Sequence, residues 1–207
     1  MSRGRFITLE GIEGAGKSTS LDYIRMLLQT AGVPHLVTRE PGGTELGEAL
    51  REIMLHRGAT PICFDSELLL MFAARAQHIA ERIRPSLDDG TWVICDRFTD
   101  ATYAYQGGGR GIPDERIATL EDWVQGELRP DLTLLFDIPV EQGLARAGSR
   151  GAPDRFEREQ QEFFERVRAR YLAAARRETG RIRVIDGAAA PHQVQDQIRA
   201  VLDKFMS

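Results

Sequence analysis

The 207-residue chain is 42% hydrophobic and 28% charged, with a formal net charge of −4 and two cysteines, Cys63 and Cys95. This balance fits one globular domain and argues against a disulfide scaffold, a zinc ribbon or a nucleic-acid-coating protein, which would carry a basic excess. The longest apolar run, Leu68–Ala74, falls far short of the ~20 residues of a membrane helix, and Met1–Glu10 lacks a signal-peptide core; a cytoplasmic protein with neither nucleic acid nor membrane as partner is expected.

In chain order, the first β-rich run is Arg5–Leu9, followed by Gly11-Ile12-Glu13-Gly14-Ala15-Gly16-Lys17-Ser18 and a helical pattern over Lys17–Thr30. The octapeptide fits G-x-x-x-x-G-K-[ST] at every fixed position, between a strand and a helix as a phosphate-binding loop requires. Glycines let successive N–H groups turn inward toward phosphate oxygens, and the helix start adds its positive end. Lys17 is placed to reach the β- and γ-phosphates of ATP, and the Ser18 hydroxyl to ligate Mg²⁺. Lys17 and Lys204 are the only lysines in a chain that otherwise uses arginine. Being in the glycine cluster, Lys17 is a poor candidate for a mere surface solubiliser.

Further strands are expected at His35–Thr38, Trp92–Cys95, Leu132–Phe136 and Ile182–Ile185. Helices are expected at Leu46–Leu55, Ser66–Leu87, Pro113–Gln125, Val140–Ala147, Glu157–Glu178 and Pro191–Phe205, with glycine- or arginine-rich loops at Gln106–Gly111 and Gly148–Arg155. The strand runs are continuously apolar, as in a parallel sheet covered on both faces. The expected architecture is α/β: a P-loop NTPase-type doubly wound sheet of five parallel strands, with ligands at the strands' carboxyl ends. One domain spans 1–207 and includes a small arginine-rich lid at about 146–156.

Two loops at that edge suit a phosphate acceptor. Trp92–Cys95 ends in Asp96-Arg97, where a carboxylate can orient Mg²⁺-bound water and a guanidinium can hold a phosphate by two hydrogen bonds. Thr38-Arg39-Glu40-Pro41-Gly42-Gly43-Thr44 is a turn that offers Arg39. A GTPase switch would need an Asn-Lys-x-Asp loop, and the chain has no asparagine. The acidic balance and short length disfavour a nucleic-acid motor. A small-molecule kinase remains, beside an ATP-binding regulatory module without turnover.

The P-loop Gly11–Thr19, Thr38–Thr44, Asp96-Arg97-Phe98 and Tyr105-Gln106-Gly107-Gly108 resemble, in order and separation, the motifs of bacterial thymidylate kinases, from Phe6 to about Phe205. That resemblance implies transfer of a phosphoryl group from MgATP to dTMP, giving dTDP for dTTP synthesis, with no covalent intermediate. It implies that Phe72 stacks on thymine, Arg75 binds its O4 and Thr102 meets the pyrimidine edge. Tyr105 would exclude a ribose 2′-hydroxyl, with Gln106 beside it, and Glu13 would contact the sugar 3′-hydroxyl or a metal-bound water. Arg39, Pro41 and Arg97 complete the dTMP set. Ala15 leaves the P-loop without the basic residue that some members carry there, so Arg150 and Arg155 of the lid would meet phosphates, one or the other of them the transferred phosphoryl group, and Arg146 would flank adenine. A homodimer is implied as well, and Ser66–Leu87 is apolar on more than one face. Other P-loop nucleotide kinases, acting on a deoxynucleoside or on UMP/CMP, are the alternative enzymes.

Overall fold

The computed structural model describes residues 3–55, 61–148, 155–157 and 159–206. Five short apolar runs become strands: β1 (Phe6–Glu10), β2 (His35–Arg39), β3 (Trp92–Asp96), β4 (Leu132–Asp137) and β5 (Ile182–Asp186). All neighbours pair in parallel, in the order β2-β3-β1-β4-β5. β1 is central and buried at every position, its polar residues Thr8 and Glu10 included. Leu9 pairs with Asp96 on one side and Leu134 on the other, so the P-loop leaves the sheet beside Asp96-Arg97. Each strand runs one residue further than its apolar stretch, ending on Glu10, Arg39, Asp96, Asp137 or Asp186. Charged groups thus collect along one edge, where ligands meet such sheets.

Helices cover both faces: α1 (Lys17–Thr30), α2 (Glu45–Leu55), α3 (Phe64–His78), α4 (Arg84–Asp88), α5 (Thr99–Thr102), α6 (Asp114–Gln125), α7 (Val140–Gly148), α8 (Gln161–Arg177) and α9 (Pro191–Met206). The expected helix Ser66–Leu87 is α3, a π-helical turn over Ile79–Ile83 and α4 in one run. The wide turn lies just ahead of Pro85, which lacks the N–H that would extend the regular ladder. Fully covered Phe136, Phe164, Ile24 and Leu28 join the sheet to its helices, and each side chain of that size contributes roughly 1.5–3 kcal/mol through burial.

Two expectations are corrected. Gln106–Gly111 was expected as a loop, yet α5 continues into a π-helical segment, Tyr103–Gly109. The glycines there serve close packing: a Cβ at Gly109 would lie 2.4 Å from the Phe163 ring. The helix expected from Glu157 begins at Gln161, because the chain turns at Arg155–Glu157, with the Glu159 N–H donating to the Phe156 carbonyl at 2.9 Å. No helix among the described residues is long and apolar enough to cross a membrane.

Candidate active site

The P-loop is built mainly from backbone. Gly11, Gly14 and Gly16 take φ of 134°, 72° and 91°, values that side-chain-bearing residues rarely adopt. At Gly14 the need is also steric, since a Cβ would sit 1.9 Å from the Gly143 carbonyl oxygen of α7. α1 starts at Lys17 without a side-chain cap, which leaves its first N–H groups and positive end toward the loop. Ser18 and Thr19 are exposed at that start. Lys17 is buried, and its Nζ donates to the carbonyls of Gly11 and Ile12 at 2.8 Å each. Burial, then the charge of Arg97, lowers Lys17 to about 8, against the pull of Asp96, Glu13 and Glu10.

At the end of β3, Asp96 Oδ1 is buried and accepts no hydrogen bond from the described residues. A buried carboxylate oxygen without a donor suits a hydrated cation. Arg97 follows with φ 67°, a left-handed conformation for a non-glycine residue. Its Nη2 donates to Glu13 Oε1 at 2.7 Å and to the Tyr105 hydroxyl at 3.2 Å. Tyr105 in turn donates to the Glu13 carboxylate, at 2.8 and 2.7 Å from its two oxygens. Burial, then the Glu13 charge, holds the Tyr105 phenol well above its usual range, so it remains a donor. Burial opposes the charge on Arg97, but Tyr105, Glu13 and Asp96 outweigh it.

Beyond this triad a cleft is lined by Glu13, Glu40, Pro41, Arg75, Arg97, Phe98, Thr102, Tyr105 and Gln106, among others. Arg75 projects from α3, only 2% exposed. Its Nε donates to Glu40 Oε2 at 2.7 Å and its Nη2 to Thr102 Oγ1 at 3.0 Å. Nη1 is buried and has no partner among the described residues. The guanidinium lies 4.7 Å from the Phe72 ring centre and 5.1 Å from that of Phe98.

A second buried carboxylate, Glu67 of α3, is fully covered. It accepts from Gln106 Nε2 at 2.7 Å, Arg155 Nη2 at 2.5 Å and, weakly, Arg110 Nε at 3.4 Å. Arg155 also donates through Nε to the Met54 carbonyl at 2.9 Å. Phe156, next along, meets Tyr105 edge to face at 5.9 Å and closes one side of the cleft. A third, Glu10 at the end of β1, accepts from the Phe98 N–H and the Tyr171 hydroxyl at 2.7 Å each. Burial, then Asp100, raises it to about 8 against those two hydrogen bonds and Arg97.

Of the residues read from sequence, the structure brings Glu13, Pro41, Arg75, Arg97, Thr102, Tyr105 and Gln106 into one cleft. Two others stand outside its lining. Arg39 is half exposed and donates to Glu48 Oε2 at 2.7 Å, while Arg51 lines the cleft instead. Phe72 is buried on the α3 face that packs against Leu68, Ile112 and Ile117, behind the Arg75 guanidinium. Arg155 pairs with Glu67, and Arg146 Nη1 donates to the Gly187 carbonyl at 2.8 Å. Arg150 and most of the expected lid, 149–154, lie outside the described residues. Sequence reasoning passed over Glu10, Glu67 and His78 and gave Glu40 no role. Their signal is a charged or polar residue within an otherwise apolar element, or inside the Pro-Gly-Gly turn.

The sequence model of the family described as Thymidylate kinase matches residues 9–198. A thymidylate kinase of Alkalilimnicola ehrlichii is 61% identical over 187 residues, covering 90% of this chain and 86% of that protein. One of Pseudomonas syringae pv. tomato is 59% identical over 203 residues, covering 98% and 95% respectively. The crystal structure of thymidylate kinase from Ehrlichia chaffeensis superposes with a TM-score of 0.79 at 34% identity, covering 97% of this chain and 99% of that one.

Proposed function

Since the chain belongs to the thymidylate kinase family and phosphorylates dTMP to dTDP with ATP, we propose that the P-loop end of the cleft takes the ATP phosphates and the buried-charge end takes dTMP. The observation that carries this division is Arg75 Nη1, a buried donor with no partner among the described residues, on the wall of the cleft. Thymine O4 is an acceptor that would satisfy it, and Thr102, with one hydroxyl able to donate and accept, meets the same edge. Phe98 lines the cleft beside them and Phe72 supports Arg75 from behind.

In this reading, dTMP lies with its sugar toward Glu13 and Tyr105. The Tyr105 ring excludes a 2′-hydroxyl, and Glu13 accepts from the 3′-hydroxyl. Arg97 holds the acceptor phosphate and neutralises the repulsion between it and the donor. Lys17 exchanges its two loop carbonyls for β- and γ-phosphate oxygens, which raises its pKa and keeps it charged. Mg²⁺, held by Ser18 and, through water, by Asp96, would supply charge neutralisation between the donor phosphates. Catalysis is otherwise alignment plus charge already in place, with no covalent enzyme intermediate. Arg150 and Arg155 are the arginines assigned to the transferred group, and Arg146 flanks adenine. The kinase domain spans 1–207 with its lid at about 146–156, works as a homodimer and belongs in the cytoplasm. Exposed Ile53, Phe64 and Leu69 on the adjoining helices α2 and α3 support the dimer.

A coupled ADP-release assay across dTMP, dUMP, UMP, dCMP and thymidine tests the acceptor assignment. dTMP is expected to give the highest kcat/KM. A chain preferring UMP or the unphosphorylated nucleoside would overturn it.

A further inference from the structure

Behind Arg75 runs a buried chain of hydrogen bonds that the reaction chemistry does not call for. Arg75 Nε donates to Glu40 Oε2 at 2.7 Å, and Glu40 Oε1 lies 2.9 Å from His78 Nδ1. His78 Nε2 lies 2.7 Å from Thr38 Oγ1. The side chains of Glu40 and His78 are 4% and 0% exposed. The glycine turn closes the far end: a Cβ at Gly43 would meet His78 Nε2 and Thr38 Oγ1 at 2.6 Å each. One direction of donation satisfies every member. The Thr38 hydroxyl donates to His78 Nε2, His78 Nδ1–H to one Glu40 oxygen, and Arg75 Nε–H to the other. The guanidinium is therefore held by Glu40 on one edge and by Thr102 on another, leaving Nη1 without a partner among the described residues.

We propose that Glu40 and His78, backed by Thr38, are positioning residues that fix Arg75 so that Nη1 meets a pyrimidine 4-oxygen and rejects a 4-amino group. This rests on the assignment of dTMP to the cleft. A guanidinium offers donors only, so a 4-keto base completes it, whereas a 4-amino base would set donor against donor. Such discrimination depends on the guanidinium being unable to turn away. An arginine side chain loses much freedom when ordered, and a buried pair is stable only when its remaining hydrogen bonds are met. His78 meets that condition for Glu40, and Thr38 meets it for His78. The Thr38–Thr44 turn thereby acquires a role in base selection through Thr38, Glu40 and Gly43, none of which need touch the base.

The experiment compares kcat and KM for dTMP and for its 4-amino counterpart, 5-methyl-dCMP, in Glu40→Gln, His78→Ala, His78→Asn, Thr38→Val and Arg75→Ala. Glu40→Gln and His78→Ala are expected to raise the KM for dTMP about 10-fold and to lower the dTMP to 5-methyl-dCMP preference by a similar factor. kcat and the KM for ATP should change much less. His78→Asn keeps a donor toward Glu40 and is expected to restore most of the preference. Thr38→Val, milder and near-isosteric, should lower the preference about 3-fold and keeps the test alive should the buried changes unfold the protein. Unchanged preference in Thr38→Val and in whichever other variants fold would overturn the proposal. So would equal losses toward both acceptors with a lowered melting temperature, the mark of a purely structural role. If Arg75→Ala itself leaves the KM for dTMP and the preference intact, the assignment of the base to this cleft fails. If only Arg75→Ala alters them, the assignment stands and the positioning role is lost.

Discussion

The two ends of the cleft are made of different material. In the division of the cleft proposed above, recognition at the donor end is carried by nine consecutive residues, Gly11–Thr19, and chiefly by their backbone. The glycine torsions and the start of α1 do the work, with Lys17 folded against its own loop carbonyls. At the acceptor end it is carried by side chains far apart in sequence: Glu13, Glu40, Arg75, Arg97, Thr102 and Tyr105, joined pairwise by hydrogen bonds. Phosphate is common to every nucleotide and backbone amides suffice for it. A particular base and sugar require charges and hydroxyls locked in place, and locking them takes buried ion pairs.

Lys17→Ala strikes the donor end and should have the largest effect, lowering kcat by about 10³-fold while KM for dTMP changes little. Steady-state ADP release measures both, and near-parental turnover would remove the ATP phosphates from this loop. The lid should come next. Arg150→Ala combined with Arg155→Ala is expected to lower kcat roughly 10²-fold, with dTMP affinity, read by calorimetry without ATP, held within a few fold. Full kcat would make the segment a tether and shift the search for transition-state charge to Arg97.

Tyr105→Ala tests whether the acceptor end selects by exclusion. Removing the ring should narrow the preference for dTMP over its ribonucleotide counterpart about 10-fold, with a smaller loss of dTMP turnover. Equal losses toward both would leave Tyr105 a packing residue. The last test reads stability rather than turnover and concerns Glu10, at the end of β1. Its folded pKa of about 8 lies above the ordinary 4.5. Between those values the unfolded chain has lost a proton that the folded chain keeps. Its contribution is therefore fully present at low pH and fades as pH rises through about 8. Urea melts from about pH 5 to about pH 8 should show stability falling, on the order of 2–4 kcal/mol from this group. In Glu10→Gln that part of the slope should vanish; an unchanged slope would assign it to other groups.

The same contrast decides what could be read from sequence. The phosphate loop is contiguous, so its spacing displays it. The inner strands β3, β1 and β4 are legible because burial on both faces keeps them largely apolar, and the edge strands β2 and β5 because short β-rich runs recur between helical patterns. Tyr103–Gly109 was not legible as helix, because its glycines look like a loop until α8 is seen pressing on them. Arg97 was singled out by its place after an apolar strand, whereas the grouping of Arg75, Thr102 and Tyr105 with it in one cleft was expected only through family resemblance. Nothing local to Arg75 says that its partners lie at Glu40 and Thr102. Nor could sequence show that Arg39 faces Glu48, because a turn's residue types do not fix which way its arginine leaves.

The left-handed backbone at Arg97 sets stability and chemistry against each other at a single position. Glycine would occupy φ 67° without the strain of order 1–3 kcal/mol that a side chain incurs there. Glycine would also remove the one cation that touches both Glu13 and Tyr105 among the described contacts. Selection for stability alone would drift toward glycine; selection for phosphate transfer holds arginine in place. On the proposed assignment of Arg97 to the acceptor phosphate, position 97 marks where the fold gives up thermodynamic margin to its chemistry, and an effort to raise the melting temperature by relaxing strained residues would first remove the cation beside Glu13.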